Sequence, residues 1–570
     1  MNTRFWVTSL FLMLAMPWAI SQESEEPEGA SQGGRLTGNL ELNANFFMRD
    51  TLIGAANTPQ YDRQLFGADS WLNLNYRNWG FDIGVRFDMF NNSNLLNPTG
   101  SYTDLGIGRW YVSKKIHSLG ITGGYIYDII GSGIIFRAYE ERPLAIDQAL
   151  YGVRLTYDLL PDWKIKAFTG RQKQQFDTYR SVLRGAAIDG FINIDSSNVT
   201  FAPGFGVVSR TLDDGSMNNL VATLNTYRKE DIFTPKYNSY AFSFYNTLTA
   251  GPFSWYFEAA YKTKDAQLDP FKERATVTGD TVLGRYIQGD GTVFYTSLSY
   301  SGKGLGVTVE GKRTENFDFR TRPQEEGVRG LLHYIPPMAR VNTYRLPARY
   351  AAATQFIGEQ AVQADIRYAV NRKLSLNINV SLINNLEDEP LYRELYTEIY
   401  YKYKRKWTLT TGVQLQDYNQ EVYFGKPDAH PIRSMTPYFD FLYKFNAKTS
   451  IRFEGQYMNV EKTEVAPSKE VREDYGSWVF GLVEFSVAPH WTLTVSDMYN
   501  ISPGKISPLD ASSGKPKKIH YPRFDVFYTY KANRLSLSYV KQVEGIVCSG
   551  GICRLEPAFS GVKMTVNSTF

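Results

Sequence analysis

Residues 35 to 49 read RLTGNLELNANFFMR, with Leu36, Gly38, Leu40, Leu42, Ala44, Phe46 and Met48 on one face and Thr37, Asn39, Glu41, Asn43 and Asn45 on the other. A repeat of two marks an extended strand, because successive side chains of a strand point to opposite faces. This run exceeds the roughly five or six residues of an ordinary soluble strand. The pattern returns over Leu374 to Leu382, Trp407 to Gln416, Thr449 to Met458, Leu535 to Tyr539 and Val562 to Phe570. Segments of about nine to eleven residues match tilted strands that cross a bilayer. In hydrocarbon such a chain satisfies its backbone only by closing on itself. The fold class expected is all-β: one large antiparallel transmembrane barrel over residues 35–570, with about 24 strands and a range of roughly 20 to 26.

Short turns at Asn78-Trp79-Gly80, Lys115 to Ser118, Pro161-Asp162, Gly251-Pro252, Gly302-Lys303-Gly304, Asn371 to Lys373, Lys404 to Lys406, Asn446 to Lys448, Pro489-His490 and Ala532-Asn533 alternate with long polar segments. Barrels of bacterial outer membranes keep short turns in the periplasm and long loops outside, so the N-terminus is expected in the periplasm. A wide barrel left open would leak, so the long extracellular loops are expected to fill part of the lumen.

The chain's start agrees with export. Met1 to Arg4 is a short basic stretch, Phe5 to Ile20 an apolar run and Ala19-Ile-Ser21 a small-x-small site, which together predict a signal peptide over 1–21 followed by an acidic linker over 22–34. The 62 basic and 58 acidic residues nearly balance, which gives no sign of a nucleic-acid binder. Aromatics make up 15% of the chain, which suits a wall between lipid and water. The two cysteines, Cys548 and Cys553 in CSGGIC, are expected to form a disulfide across a Gly-Gly loop. Phe570 ends the last alternating strand, which resembles the C-terminal signal by which outer-membrane proteins are recognised, and the resemblance implies the outer-membrane assembly machinery as a partner.

Catalysis finds little support. His117 and His490 fall at turns, His333 and His430 in loops and His520 at a strand start, none in a defensible pattern with serine and carboxylate, so the chain is read as not an enzyme. Asp213-Asp214 with Asn218-Asn219, and Glu387-Asp388-Glu389, lack calcium-loop spacing. No cofactor or metal is indicated. N-x-S/T matches at Asn198, Asn379 and Asn567 are read as chance.

Two loops stand out. One, GSGIIFRAYEERPLAIDQ over 131–148, runs Ile134, Ile135 and Phe136 into Arg137, Glu140, Glu141, Arg142 and Asp147. The other, from Thr314 to about Gln360, carries Arg320, Arg322, Arg329, Arg340, Arg345 and Arg349 with Tyr334, Tyr344, Tyr350 and Ile335-Pro336-Pro337. Loops this long are functional or disordered, and the aromatics argue for order. Apolar side chains in the first loop need a wall to pack on, so it is expected to fold inward, with Glu140, Glu141 and Asp147 set to pair with the arginines of 320–349.

GSGIIFRAYEERPLAIDQALYG, IPPMARVNTYRL and GIVCSGGICRLEPAFSGVKMTVNSTF resemble recurring segments of a family of uncharacterised outer-membrane β-barrel proteins in Bacteroidota, over nearly the whole mature chain. The resemblance implies location and fold and brings no substrate. In barrel size the chain is also distantly similar to TonB-dependent transporters, but alternation beginning at Arg35 leaves no room for their N-terminal plug, which argues against energised uptake. Two functions follow as expectations. One is a channel or transporter with a loop-gated lumen, whose selectivity is set by rings and pairs of charged side chains. The other is a non-conducting barrel that docks a secretion, assembly or surface-lipoprotein partner. Membrane lipid and lipopolysaccharide are partners in either case.

Overall fold

The computed structural model describes residues 34–570 except 195–196, 276–280, 426–428, 462–475, 504–508 and 550–551, and leaves the side chains of 546–549, 552, 553 and 555 undescribed. The expected signal peptide over 1–21 and nearly all of the linker over 22–34 lie outside the described residues. The chain forms a closed antiparallel barrel of 24 strands. Strands follow one another around the wall in chain order, and closure pairs the first, Arg35–Phe47, with the last, Phe559–Thr569: Asn39 lies opposite Thr569 and Phe47 opposite Gly561. No strand edge remains for lipid to meet, as a barrel in hydrocarbon requires.

The alternation translates directly into two faces. On Leu150–Leu160, Tyr151, Val153, Leu155, Tyr157 and Leu159 point outward and are 41–46% exposed, while Arg154 between them turns in to Asp128. Leu395, Ile399, Phe439, Phe453, Val483, Leu493, Val495, Leu535 and Leu537 continue the outward apolar band. Such a surface is stable only against hydrocarbon.

Both termini and the tight turns share one end. Trp79-Gly80 and Lys303-Gly304 each place two successive residues at positive φ (+50°/+74° and +51°/+80°), the conformation that matches the twist of a two-residue hairpin. The opposite end carries the long connections. There Phe253–Ala275 and Thr281–Gly302 outrun their neighbours, which stop pairing with them at Lys262 and Thr292. The resulting hairpin projects roughly 35–40 Å past the rim at the usual rise per residue. Asp214–Leu224 packs beside it as an α-helix, joining Leu220, Leu224 and Tyr227 to Ala266 and Tyr286. The period-two reading does not anticipate this helix. Asp213, weighed above as an oxygen ligand, is its N-cap and accepts from the Ser216 amide at 3.0 Å.

Inside the barrel lies an apolar core of a kind an open pore does not have. Ile130, Ile134, Ile135 and Phe136 from one loop and Phe317, Phe319, Leu332, Ile335, Met338, Leu346 and Tyr350 from another form one continuous cluster with wall residues from Phe168 round to Tyr521. The loops thus fold into the lumen and partly fill it.

Candidate functional site

The segment between the strands Leu119–Ile126 and Leu150–Leu160 is built of two small hairpins. Asp128–Ile130 pairs with Phe136–Ala138, and Glu140–Glu141 with Ile146–Asp147. Gly131 and Gly133 hold φ +56° and +105°, which turns the chain sharply and exposes the intervening Ser132 to the wall. There Glu258, fully buried, accepts from the Ser132 amide (2.9 Å), the Ser132 hydroxyl (2.6 Å), Ser243 (2.5 Å) and Tyr256 (2.6 Å). Ile130 fills the space above Gly206: a Cβ there would stand 2.3 Å from its Cγ2. Ile134 and Ile135 are 0% exposed, and Phe136 stacks on Phe168 with ring centroids 4.5 Å apart. The inward packing expected of this loop is therefore what forms.

Its charges meet the wall. Arg86, 2% exposed, donates to Asp88 (2.6 and 2.8 Å), to Glu140 (2.5 Å) and to Asp147 (2.8 Å). Lys173 donates to Asp147 at 2.5 Å and lies 3.9 Å from Asp88. Arg142 joins Glu140 (3.0 Å) to Glu41 on the first strand (2.7 Å), and Tyr127 donates to Asp147 at 2.8 Å. Burial raises the pKa of Asp147, but Lys173 and Arg86 outweigh it and hold the carboxyl at about 2. Glu141 sits opposite Ile146 and forms no ion pair among the described residues.

Among the described residues none of the arginines Arg320, Arg322, Arg329, Arg340, Arg345 and Arg349 pairs with Glu140, Glu141 or Asp147, which corrects the expected pairing, and four of them are held elsewhere. Arg320 pairs with Asp318 and donates to the carbonyls of Gly327 and Arg329, Arg322 and Arg329 pair with Glu325, and Arg340 lies 3.8 Å from Asp365 and over the ring of Tyr396. Asp318 and Glu325 lie two to four residues from Arg320, Arg322 and Arg329 and take up their charges locally. The two loops meet instead through backbone, Arg137 N to Leu332 O and Tyr334 N to Gly133 O at 2.9 Å each, and through the Arg137 guanidinium, 3.9 Å from the Tyr139 ring and 4.2 Å from that of Tyr334. His333 lies buried between Phe317 and Phe356 with Nδ1 2.9 Å from the Phe319 carbonyl, and burial lowers its pKa to about 4. Among the described residues no histidine hydrogen-bonds a serine, and no group of acids, histidines and cysteines is placed to hold a metal.

A cavity of about 580 Å³ opens between the loop 127–149, the wall and the loop 316–357, lined by Trp71, Arg86, Glu140, Asp147, Gln148 and Lys173 among others. Gln148 is 5% exposed, and neither atom of its amide has a partner among the described residues. The lining offers a solute hydrogen-bonding groups and charges, some of which otherwise hold the loop 127–149 to the wall. Arg86, Asp88, Lys173, Glu41, Glu258 and Gly206 were not singled out above. Their one signal is charge or glycine on the inward register of an otherwise apolar strand, as in FDIGVRFDMF over 81–90. Near the rim Cys548 and Cys553 are direct register partners in the hairpin Gly545–Ser549/Ile552–Glu556.

Fold and site together define a membrane-spanning barrel with a charged, loop-filled lumen. The chain belongs to a family of unknown function, DUF6029, whose model matches residues 2–570. No curated protein matches it. Among solved structures it is similar to the siderophore receptor PirA from Pseudomonas aeruginosa (8% identical, 94% of this chain and 80% of that one, TM-score 0.39). It is also similar to the outer membrane transporter YddB from Escherichia coli (7%, 94% and 81%, 0.40) and to the translocation pore of the P pilus usher PapC (10%, 94% and 99%, 0.40). Likenesses of this degree carry no argument about what this chain does, which rests on its own residues.

Proposed function

We propose that the protein is a channel or transporter of a Gram-negative outer membrane whose lumen is gated by the loops 127–149 and 316–357. The observation that carries the reading is the Arg86 centre: the loop that fills the lumen is secured to the wall by ion pairs bordering a solute-sized cavity. A permanent stopper needs only its apolar core. Charges that can be re-paired make a closure that can be undone.

The same reading takes 1–21 as a signal peptide and 22–34 as a linker, and sets the tight-turn end, with both termini, in the periplasm. It makes lipid and lipopolysaccharide the surroundings of the apolar band, Phe570 the signal to the assembly machinery, and Bacteroidota the source, the last supported by the resemblance of the quoted segments. Directly opposed strand residues hold their Cβ atoms about 4.5–5.5 Å apart, close to disulfide reach, which supports the Cys548–Cys553 bond. Neither catalysis nor a cofactor is part of the proposal.

Planar-bilayer recording tests it. Glu140→Gln with Asp147→Asn should raise the open fraction well above that of the parent protein. A purified barrel that never conducts, even with 320–349 deleted, would sink the channel reading. One observation favours the docking alternative: the hairpin 253–302 projects beyond the rim, a platform that conduction does not require. Purification in gentle detergent with no stoichiometric partner would count against it.

A further inference from the structure

The wall strands Pro390–Tyr403, Trp407–Tyr418 and Ile432–Lys444 bury oxygens that nothing around them satisfies. An inward position covered by a loop is ordinarily apolar or fully hydrogen-bonded. Here Glu394, Gln414 and Thr436 are 3%, 0% and 0% exposed, and Glu394 Oε2, Gln414 Oε1 and Thr436 Oγ1 have no partner among the described residues. Asn342, on the loop 316–357, adds its buried Oδ1. Glu394 forms no ion pair among the described residues. Arg393, its neighbour in sequence, is turned to the Ile383 carbonyl at 2.8 Å, and Arg340 lies over the Tyr396 ring, 3.8 Å from Asp365. A carboxylate buried without a cation is costly until a proton or a positive ion joins it.

Loop and wall meet at this carboxylate. Asn342 Nδ2 donates to Glu394 Oε1 at 3.2 Å and to the Pro347 carbonyl at 3.4 Å, and Gln414 Nε2 donates to the same two oxygens at 2.7 and 3.2 Å. One amide from the loop and one from the wall thus converge on one carboxylate oxygen and one main-chain oxygen. Oxygens bonded to calcium at about 2.3–2.6 Å stand about 3.3–3.7 Å apart along the edges of an octahedral shell, so these four atoms are already within about 1 Å of that spacing. Turning each carboxamide over puts its oxygen where its nitrogen stands and leaves four oxygens with one negative charge. The turn breaks no bond at the amide oxygens, and the Thr436 hydroxyl, directly opposite Gln414 in register, can accept from the turned amide. The Tyr392 hydroxyl, which accepts from Gln416 at 2.9 Å, bears on the same carboxylate. Val341 is 69% exposed and Thr343 is exposed as well, so solvent reaches the loop on either side of Asn342.

We propose that Glu394, Gln414, Asn342 and the Pro347 carbonyl bind one hard cation of the calcium type, which pins the loop 316–357 to the wall. Calcium takes a carboxylate together with amide and main-chain oxygens in irregular geometry and completes its shell with water, whereas magnesium demands a regular shell and keeps its waters. The set holds a single acid, which separates it from the groupings of several acids, histidines and cysteines that the described residues lack. Two ligands belong to the loop and two to the wall, so the ion fastens what a channel has to open. Binding stands apart from the channel reading; only an effect on conductance rests on it.

The test uses the full-length protein in detergent, stripped with chelator, and calcium chloride as the probe. Calcium should raise the thermal midpoint and slow amide exchange over 342–350, and magnesium or sodium at equal ionic strength should do neither. Glu394→Gln keeps the shape and removes the charge, and calcium binding followed by calorimetry should be at least about tenfold weaker in it. Asn342→Ala, on the loop, should weaken binding with the wall untouched, and heat-modifiable migration on gels checks that each variant folds. A calcium response equal in the parent and both variants overturns the site, because the ion then sits elsewhere. No calcium response in the parent overturns it outright, and a Glu394→Gln variant as stable as the parent would then mark Glu394 as a carboxyl that keeps its proton. A response to sodium in place of calcium overturns the calcium assignment. In bilayers, calcium should lower the open fraction of the parent and not that of Glu394→Gln. Calcium binding that depends on Glu394 in a barrel that never conducts upholds the site and removes the channel.

Discussion

Arg86 donates to three carboxylates from a nearly water-free position, and the consequence of losing it follows from what stays behind. Arg86→Ala leaves Asp88, itself 3% exposed, with only Lys173 at 3.9 Å, Glu140 with Arg142, and Asp147 with Lys173 and Tyr127. An uncompensated charge of this kind costs about 3–5 kcal/mol. The expected outcome is a lower unfolding midpoint with an unlatched lumen, seen as rapid amide exchange over 128–147. His333 and Asp147 separate two pH windows. Both have folded pKa values below their ordinary ones, so each contributes stability that is complete above the ordinary value and is lost as pH falls through the folded one. For His333 the window runs from the ordinary value of 6.5 to about 4, or about 3 kcal/mol; for Asp147 it runs from 3.8 to about 2, or about 2 kcal/mol. Between pH 6.5 and 4 the loop around 319–333 should therefore lose protection while 128–147 keeps it, and His333→Phe should abolish the change. Simultaneous loss in both loops would contradict the assignment.

At the scale of elements, the loop 127–149 keys into the wall through small residues as much as through charge. Gly206→Val puts a side chain where Ile130 lies, 2.3 Å from the new Cβ, and such overpacking costs about 1–3 kcal/mol. The loop is expected to lift while the barrel persists, so limited trypsin cuts after Arg137 in the variant and not in the parent; equal resistance would mean the key is not needed. Strands like Leu374–Asn384 and Trp407–Tyr418 were readable within a residue or two at their ends, because lipid on one side and water or loop on the other force every second side chain to declare its face. The inward fold of 131–148 was readable for a related reason: Ile134, Ile135 and Phe136 have no place in a solvated loop. The partners of Glu140 and Asp147 were not readable. Which cation an acid meets depends on loop path, and Arg86 and Lys173 carry no mark that separates them from other inward charges. The helix 214–224 was hidden because its period is not two and its apolar face is short.

The wall of the whole molecule is closed at one seam, where the first and last strands meet. Gly38 and Phe570 exchange two backbone hydrogen bonds, at 2.8 and 2.9 Å, and the Phe570 ring lies over Gly38, 2.6 Å from where a Cβ would stand. The terminal ring can matter in two ways that the seam itself distinguishes. If it acts by packing, Gly38→Val and Phe570→Ala disturb the same contact, and both should lower the thermal midpoint and slow refolding into detergent micelles, where no cellular machinery is present. If it acts as a signal to that machinery, Phe570→Ala should deplete the protein from outer membranes while refolding in micelles at the parent rate, and Gly38→Val should not. The packed geometry predicts a share in both: a modest common loss of stability, about 1 kcal/mol or more for the displaced ring, with a further loss of membrane yield confined to Phe570→Ala. Identical yields for the two variants would reduce Phe570 to a seam residue. Unchanged refolding in both would leave closure to the backbone ladder between Asn39 and Phe47 and its partners Thr569 to Gly561.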